Sequence, residues 1–432
     1  MSGVRIKNRA LLESGMTLPG FVERSNVIAS LPNLGLLTLA AYTPKHWDIT
    51  YIDIDQIETD LVDSIINEGY DLVGISFLTA RAYETYELAD AIRAEGLVVV
   101  LGGLHTSALP EEASQHANAI VIGEAEPVWP QLLEDYEKNC LQKSYHKAKA
   151  EITGFTDGPV PRYDLLDISR YNRITLQTTR GCPLHCEFCG ASHLISPTRR
   201  KSIPQVRCEL EAILEQWNKP FIELADDNTF IHKKWGKELL QLFSEYPIRW
   251  FTETDISVAN DPELLDLLAA SGCAQVLIGL ESPNQRTLSE MDPAGWKARQ
   301  HNQVAESVKR IQEMGISVNG CFILGSDTDD ASCFDTTLEA IDSLELSEAQ
   351  ITLLTPFPGT ALFDRLKLEN RLLKGSFWDQ CTLFDVCFEP KKMSVDELET
   401  GFHDLMRKVY SEERVARRKH LFRQQARKRF TQ

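Results

Sequence analysis

Two successive series of alternating β and α elements, followed by a mostly helical stretch, predict an α/β protein built from two sheet-bearing units and an appendage. Three observations carry this expectation. Short apolar runs alternate with helical patterns twice over, Gly154, Gly158, Pro159 and Pro161 interrupt the series between them, and the alternation stops near Pro356. The expected partition is residues 1–145 as a doubly wound parallel sheet, 146–172 as a linker, 173–355 as a partial (β/α)6 barrel, and 356–432 as a helical extension with a basic tail. A chain of 432 residues is long for one core, which agrees with such a division.

In the first unit, 48–54, 72–76, 97–101 and 119–122 read as strands, and 34–42, 80–94 and 127–136 as helices. Apolar strands joined by helices imply a parallel sheet covered on both faces. Two strands end in glycine turns, Gly102-Gly103-Leu104-His105 and Gly123-Glu124-Ala125-Glu126. Ligands of open α/β sheets sit at the carboxyl ends of strands, where glycine lets the backbone approach closely. The stretch 4–10 makes only a poor first strand. In the second unit, 174–177, 221–225, 249–253, 275–280, 317–323 and 350–354 read as strands, with helices at 204–217, 234–243, 262–270, 304–314 and 335–344. Six such units suit an open barrel, and no short-period repeat is visible.

Composition narrows the function. A hydrophobic share of 43% and a charged share of 25% are those of a globular protein. No apolar run approaches the roughly 20 residues of a membrane span, and the start has no secretory apolar region, so a cytoplasmic location is expected. A net charge of −18 argues against a nucleic-acid partner. The tail runs against that balance with Arg414, Arg417, Arg418, Lys419, Arg423, Arg427, Lys428 and Arg429. A solvated helix or contact with an anionic membrane or partner surface both fit it.

Ten cysteines without an export signal point to reduced thiols and metal ligation. Cys182, Cys186 and Cys189 fall within eight residues, in Thr179-Arg180-Gly181-Cys182-Pro183-Leu184-His185-Cys186-Glu187-Phe188-Cys189, just past the first strand of the second unit. Three thiolates on one such loop can wrap a compact metal centre, whereas an electron-transfer cubane takes four. A zinc site completed by His185 or His193 is the competing reading, although structural zinc sites usually pair two ligand-bearing turns. Cys140, Cys208, Cys273, Cys321 and Cys333 are isolated, and Cys381 and Cys387 are too few for a second cluster, so all seven read as packing residues.

With Phe188 before its last cysteine, this motif resembles the signature of the radical S-adenosylmethionine superfamily. The resemblance implies a [4Fe–4S] cluster whose open iron binds S-adenosylmethionine and cleaves it reductively. It also implies cofactor contacts at later strand ends: Asp226, Asp227 and Asn228 after the second strand, Glu253 after the third, Glu281 and Ser282 after the fourth, and Gly325 after the fifth. The first unit resembles the cobalamin-binding domain that precedes the radical domain in one subgroup, through Leu31–Leu37, Ser76–Ala80 and the two glycine turns. That likeness makes Gly102, Gly103, His105, Gly123 and Glu124 candidates to meet a corrin. The Asp-x-His-x-x-Gly motif of cobalamin mutases is absent, so a first unit kept for packing stays open. The extension, with 355–360 and 393–398, resembles that of hopanoid methylases.

These likenesses imply an enzyme, a cobalamin-dependent methyltransferase acting on a small molecule or lipid, supplied with electrons by a flavodoxin or ferredoxin. Aminocarboxypropyl transfer or a radical rearrangement without cobalamin, and a non-catalytic iron–sulfur or zinc protein, are the alternatives. Catalytic side chains beyond the cofactor ligands are not identifiable. Phe357, Phe363, Phe377 and Phe384 suit either a lipid pocket or the core of the extension.

Overall fold

The computed structural model describes residues 31–54, 57–58, 60–147, 155–190, 194–195, 197–373 and 378–429. Residues 4–10, His193 and Phe377 therefore lie outside the described residues.

Strands β1 (Leu72–Ser76), β2 (Val98–Gly102), β3 (Ala119–Ile122) and β4 (Ser144–His146) form a parallel sheet in chain order. Successive side chains leave a strand on opposite faces, and here each face has its own core. Val99, Leu101 and Ile120 pack with Phe77, Tyr86 and Ile92 on one side. Val100, Ala119 and Val121 pack with Trp129, Leu132 and Leu133 on the other. The helices Ala82–Ala94 and Trp129–Glu137 supply those partners, giving the doubly wound sheet the sequence predicts.

Residues 48–54 form no strand. They run beside a large cavity, which Ile49, Tyr51, Ile52 and Ile54 help to line. Alternating apolar residues suit a cavity wall as well as a ladder, so the pattern alone does not separate the two. β4 was not expected, because of its three residues only Tyr145 is buried.

In the second unit, β5 (Ile174–Leu176), β8 (Phe221–Leu224), β9 (Arg249–Thr254), β10 (Cys273–Glu281), β11 (Ser317–Leu324) and β12 (Glu348–Leu353) form a six-stranded parallel sheet in that order. A short hairpin, β6 (Thr179–Arg180) with β7 (Arg199–Arg200), branches off after β5. Helices follow the strands with ordinary start signals: Ser202 Oγ accepts from Gln205 N ahead of Ile203–Gln216, and Asp261 caps Pro262–Ala270. Both outer strands are covered, as exposed edges would invite pairing. Tyr163 donates its hydroxyl to Thr175 O at the β5 edge (3.1 Å), and Leu353 N donates to Leu383 O at the β12 edge (2.8 Å).

The extension is mostly helical. The helix Val395–Val409 begins with a Ser394/Glu397 capping box and buries Leu398, Phe402, Leu405 and Met406 in the main core. Phe363 and Phe384 are buried in cores, and Phe357 packs partly buried against one of them. The basic helix Glu412–Arg429 packs one face on the barrel, where Arg418 is buried and donates to Val409 O (2.7 Å) and Arg414 pairs with Asp342. Arg417, Lys419 and Arg423 remain exposed. No described helix is long and apolar enough to cross a membrane. Among the cysteines read as packing residues, Cys273, Cys381 and Cys387 are buried, but Cys140 and Cys208 are exposed.

Candidate functional site

The loop bearing Cys182, Cys186 and Cys189 leaves the carboxyl end of β5, and its root is fixed by two aspartates from the end of β8. Asp226 Oδ1 accepts from Thr178 N (2.6 Å) and Thr179 N (2.9 Å), while Oδ2 accepts from the hydroxyls of Thr178 (2.5 Å) and Thr229 (3.0 Å). Asp227 Oδ2 accepts from Gly181 N (2.6 Å). Asn228 donates to Asp255 Oδ2 (3.0 Å). Asp226 is 3% exposed and both its oxygens accept from protein donors, so here it braces the loop root. Phe188 packs against an apolar cluster that includes Met291, Leu362 and Phe388, so it anchors the loop.

Burial pushes the Cys182 thiol up and the Cys186 thiol up to about 12, so a metal taking them as thiolates must displace protons. Among the described residues, no three His, Cys, Asp or Glu side chains converge on one point as a single ion requires. A cubane binds each thiolate at a different iron, so three thiols on one loop fit it without such convergence.

Opposite the loop, the inner ends of β9, β10 and β11 carry the other candidates. Glu281 is buried with φ of 62°, a backbone region that costs a non-glycine residue about 1–3 kcal/mol and is kept where a side chain must be aimed. Its Oε1 accepts from Lys297 Nζ (2.8 Å), which also donates to Gly279 O (2.9 Å). Burial opposes the Lys297 charge, but Glu281 and Cys186 outweigh it and raise its pKa. Glu253, near the end of β9, is exposed at its surface but crowded by neighbouring protein and carboxylates. Burial and the carboxylates of Glu223, Asp227, Glu281 and Asp226 push its pKa up to about 8. Ser282 is buried and its hydroxyl accepts from Asn284 N (3.1 Å). Gly325 N and Ser326 N both donate to Asp329 Oδ2, which shapes the turn after β11.

The second part of the site is a cavity of about 840 Å³ at the carboxyl ends of β1–β3. Gly102, Gly103, Gly123 and Glu124 line it, together with Ser76 and the helix Leu34–Tyr42. Gly103 and Gly123 have φ of 100° and 77°, and a Cβ on Gly123 would meet nothing within 4 Å, so open space lies over that turn. The open space over Gly123 leaves room there for a bulky ligand. Gln177, Arg180 and Ala225 line the same cavity from the second unit, so the root of the cysteine loop is one of its walls. Arg180 pairs with Glu124 (2.8 Å) and Glu126 (2.7 Å), Arg199 also pairs with Glu124, and Arg180 lies 4.5 Å over the Phe155 ring.

His105 is not in this lining. It is fully buried beneath the turn, with Nδ1 3.3 Å from Thr79 Oγ1 and Nε2 3.3 Å from Glu112 Oε1. Trp378 of the extension packs against its ring at 5.3 Å and donates to Glu112 (3.2 Å). We therefore expect His105→Ala to lower stability by about 1–3 kcal/mol through the unsatisfied partners, as read by urea denaturation, while corrin affinity stays unchanged.

Comparison with known proteins sets the two halves of this site in two different matched domains. Residues 24–133 match the model of the B12 binding domain, 176–341 that of the radical SAM superfamily, and 360–432 a domain of unknown function. A bacteriochlorophyllide d C-12(1)-methyltransferase of Chlorobaculum tepidum is 30% identical over 397 residues, which span 90% of this chain and 84% of that one. The chain belongs to the cobalamin-binding radical S-adenosylmethionine family. The hopanoid C-2 methylase of Rhodopseudomonas palustris is 27% identical over 365 residues, 81% of this chain and 66% of its own length. In fold, this radical S-adenosylmethionine enzyme is similar to the cobalamin-dependent enzyme OxsB with aqua-cobalamin bound. The TM-score is 0.70 at 16% identity, over 86% of this chain and 64% of OxsB. The family's cofactors are a [4Fe–4S] cluster, S-adenosylmethionine and cobalamin.

Three residues of the site escaped the sequence reading. Arg180 lies inside the quoted cysteine segment, where its charge two residues before Cys182 was the available signal. Glu126 ends a quoted glycine turn. Lys297 comes from a short helix after β10, and nothing in its spacing marks it.

Proposed function

We propose that this enzyme transfers a methyl group from S-adenosylmethionine to an unactivated carbon of an apolar small molecule or lipid, with cobalamin as carrier. The observation that supports this most is the shared wall: Arg180 lines the large cavity and stands two residues before Cys182. Methyl transfer through a corrin needs the two cofactor sites to adjoin, whereas a rearrangement does not. When bound, the cluster supplies the electron that cleaves S-adenosylmethionine, and cobalamin carries the methyl group.

The chain's own residues have these roles in this reading. Cys182, Cys186 and Cys189 ligate the cluster, and Asp226 and Asp227 fix their loop. Lys297 faces the methionyl carboxylate, and Glu253 and Glu281 its ammonium end. Gly325 and its turn receive the adenine. Gly102, Gly103 and Gly123 form the corrin floor, and Glu124 with Glu126 holds Arg180. Two relatives are named for a bacteriochlorophyllide and a hopanoid. Leu104, 44% exposed, lines the cavity with Leu194 and Ile195 and suits an apolar substrate. A flavodoxin or ferredoxin would deliver the electrons.

Two measurements test this. Reconstituted enzyme given S-adenosylmethionine and a strong reductant should release both S-adenosylhomocysteine and 5′-deoxyadenosine; methylthioadenosine as the sole nucleoside would overturn the reading. The second uses Glu253. A cationic ligand prefers its ionised form, so below about pH 8 binding must release a proton. S-adenosylmethionine affinity should therefore rise with pH from 6 to 8, by at most roughly tenfold per unit, and level off above. Glu253→Gln should flatten that profile in equilibrium dialysis.

A further inference from the structure

We propose that the C-terminal extension clamps the S-adenosylmethionine pocket, with Arg365 as its positioning residue, an inference that rests on the ligand roles given above to Cys182, Cys186 and Cys189. The helix Ala361–Leu368 lies across the cysteine loop. Leu362 N donates to Glu187 O (3.0 Å), and Glu187 N donates to Met291 O (3.0 Å), so the residue after Cys186 is held from two sides. Arg365 grips the same residue through a fork, with Nε 2.5 Å from Glu187 Oε1 and Nη2 3.1 Å from Oε2. Its remaining nitrogen, Nη1, donates to Asp327 Oδ2 (2.8 Å).

Asp327 lies two residues beyond Gly325, in the turn assigned to adenine. One guanidinium thus ties the loop at the cluster end of the pocket to the turn at its adenine end. Arg371 and Lys391, both from the extension, also pair with Asp327, at 2.8 and 2.6 Å. Phe188 packs against Leu362, Leu366 and Phe388, so an apolar contact backs the ionic one. The arrangement fixes the pocket's span without touching its contents. It also sets a cation beside the Cys186 segment, and a cation there favours the more negative, reduced state of a cluster.

The test compares wild type, Arg365→Gln and Arg365→Lys, each as the full chain reconstituted anaerobically with iron and sulfide. Iron and sulfide are counted first, then the midpoint potential is titrated by electron paramagnetic resonance and S-adenosylmethionine affinity is measured by equilibrium dialysis. All three proteins should hold the same cluster. Arg365→Gln should bind S-adenosylmethionine roughly tenfold or more weakly, as loss of a charge-assisted fork implies, and its cluster should reduce at a lower potential. Arg365→Lys keeps the charge without the fork, so it should restore the potential but only part of the affinity. A loaded Arg365→Gln with wild-type affinity and potential would overturn the clamp alone. A wild type that takes up no iron would overturn the reading of the cysteines and the clamp with it. If Arg365→Gln does not fold, Asp327→Asn releases the adenine end only; weaker binding is then expected, and unchanged binding overturns the clamp.

Discussion

Cys186→Ala should abolish 5′-deoxyadenosine formation from S-adenosylmethionine while leaving the fold intact. In the proposed reading the cubane would have three protein ligands on this loop, and losing one would leave a cluster with two open irons that is readily shed. The fold should survive because the loop is held by other groups. Asp226 and Asp227 bind its root, Leu362 N and Glu187 N tie its middle, and Phe188 packs into an apolar cluster. Cys186 is buried at 5% exposure, and trimming its sulfur removes one small apolar contact, a cost of about 1 kcal/mol. Far-ultraviolet circular dichroism and thermal melting would verify the fold, and chromatography of the nucleosides would report the chemistry. Deoxyadenosine at wild-type yield in a folded Cys186→Ala protein would remove the cluster assignment.

Gly123→Leu should cost the enzyme its corrin and leave its cluster in place. Space lies open above this glycine, at the cavity wall, so a leucine side chain would stand where the proposed corrin would lie. Overpacking a fitted site costs about 1–3 kcal/mol, which is roughly a five- to 150-fold loss of affinity. The positive φ of 77° adds strain of about 1–2 kcal/mol to the turn. Gly123→Ala separates the two effects, since it brings nearly the same backbone strain with little reach into the cavity. Hydroxocobalamin titration by absorbance should show a small change for alanine and a large one for leucine. Equal losses in the two variants would place the cost in the backbone and not in the cavity.

The sheets were legible in the sequence because their strands bury both faces. Runs such as Val98-Val99-Val100-Leu101 have no polar register to hide in. The cysteine loop was legible because its ligands are local, three thiols in one short segment. What could not be read depends on distant partners. His105 follows a glycine turn as a corrin-facing residue might, but Trp378 and Glu112 draw it beneath the turn. Asp226 stands at a strand end like its neighbours, yet the backbone of Thr178 and Thr179 takes its oxygens. Lys297 reaches Glu281 from a helix whose orientation no periodicity reports. The basic tail looked like a surface helix, but Arg418 turns inward and donates to Val409 O at the preceding bend.

The proposed function requires one chain to hold a cluster and a corrin across a shared wall. The most direct test is anaerobic reconstitution of the full chain with iron, sulfide and hydroxocobalamin, followed by desalting and an absorbance spectrum with iron and cobalt analysis. Cobalt retained in proportion to protein, beside a complete cluster, is the expected result. A full cluster with cobalt lost on the desalting column would contradict it.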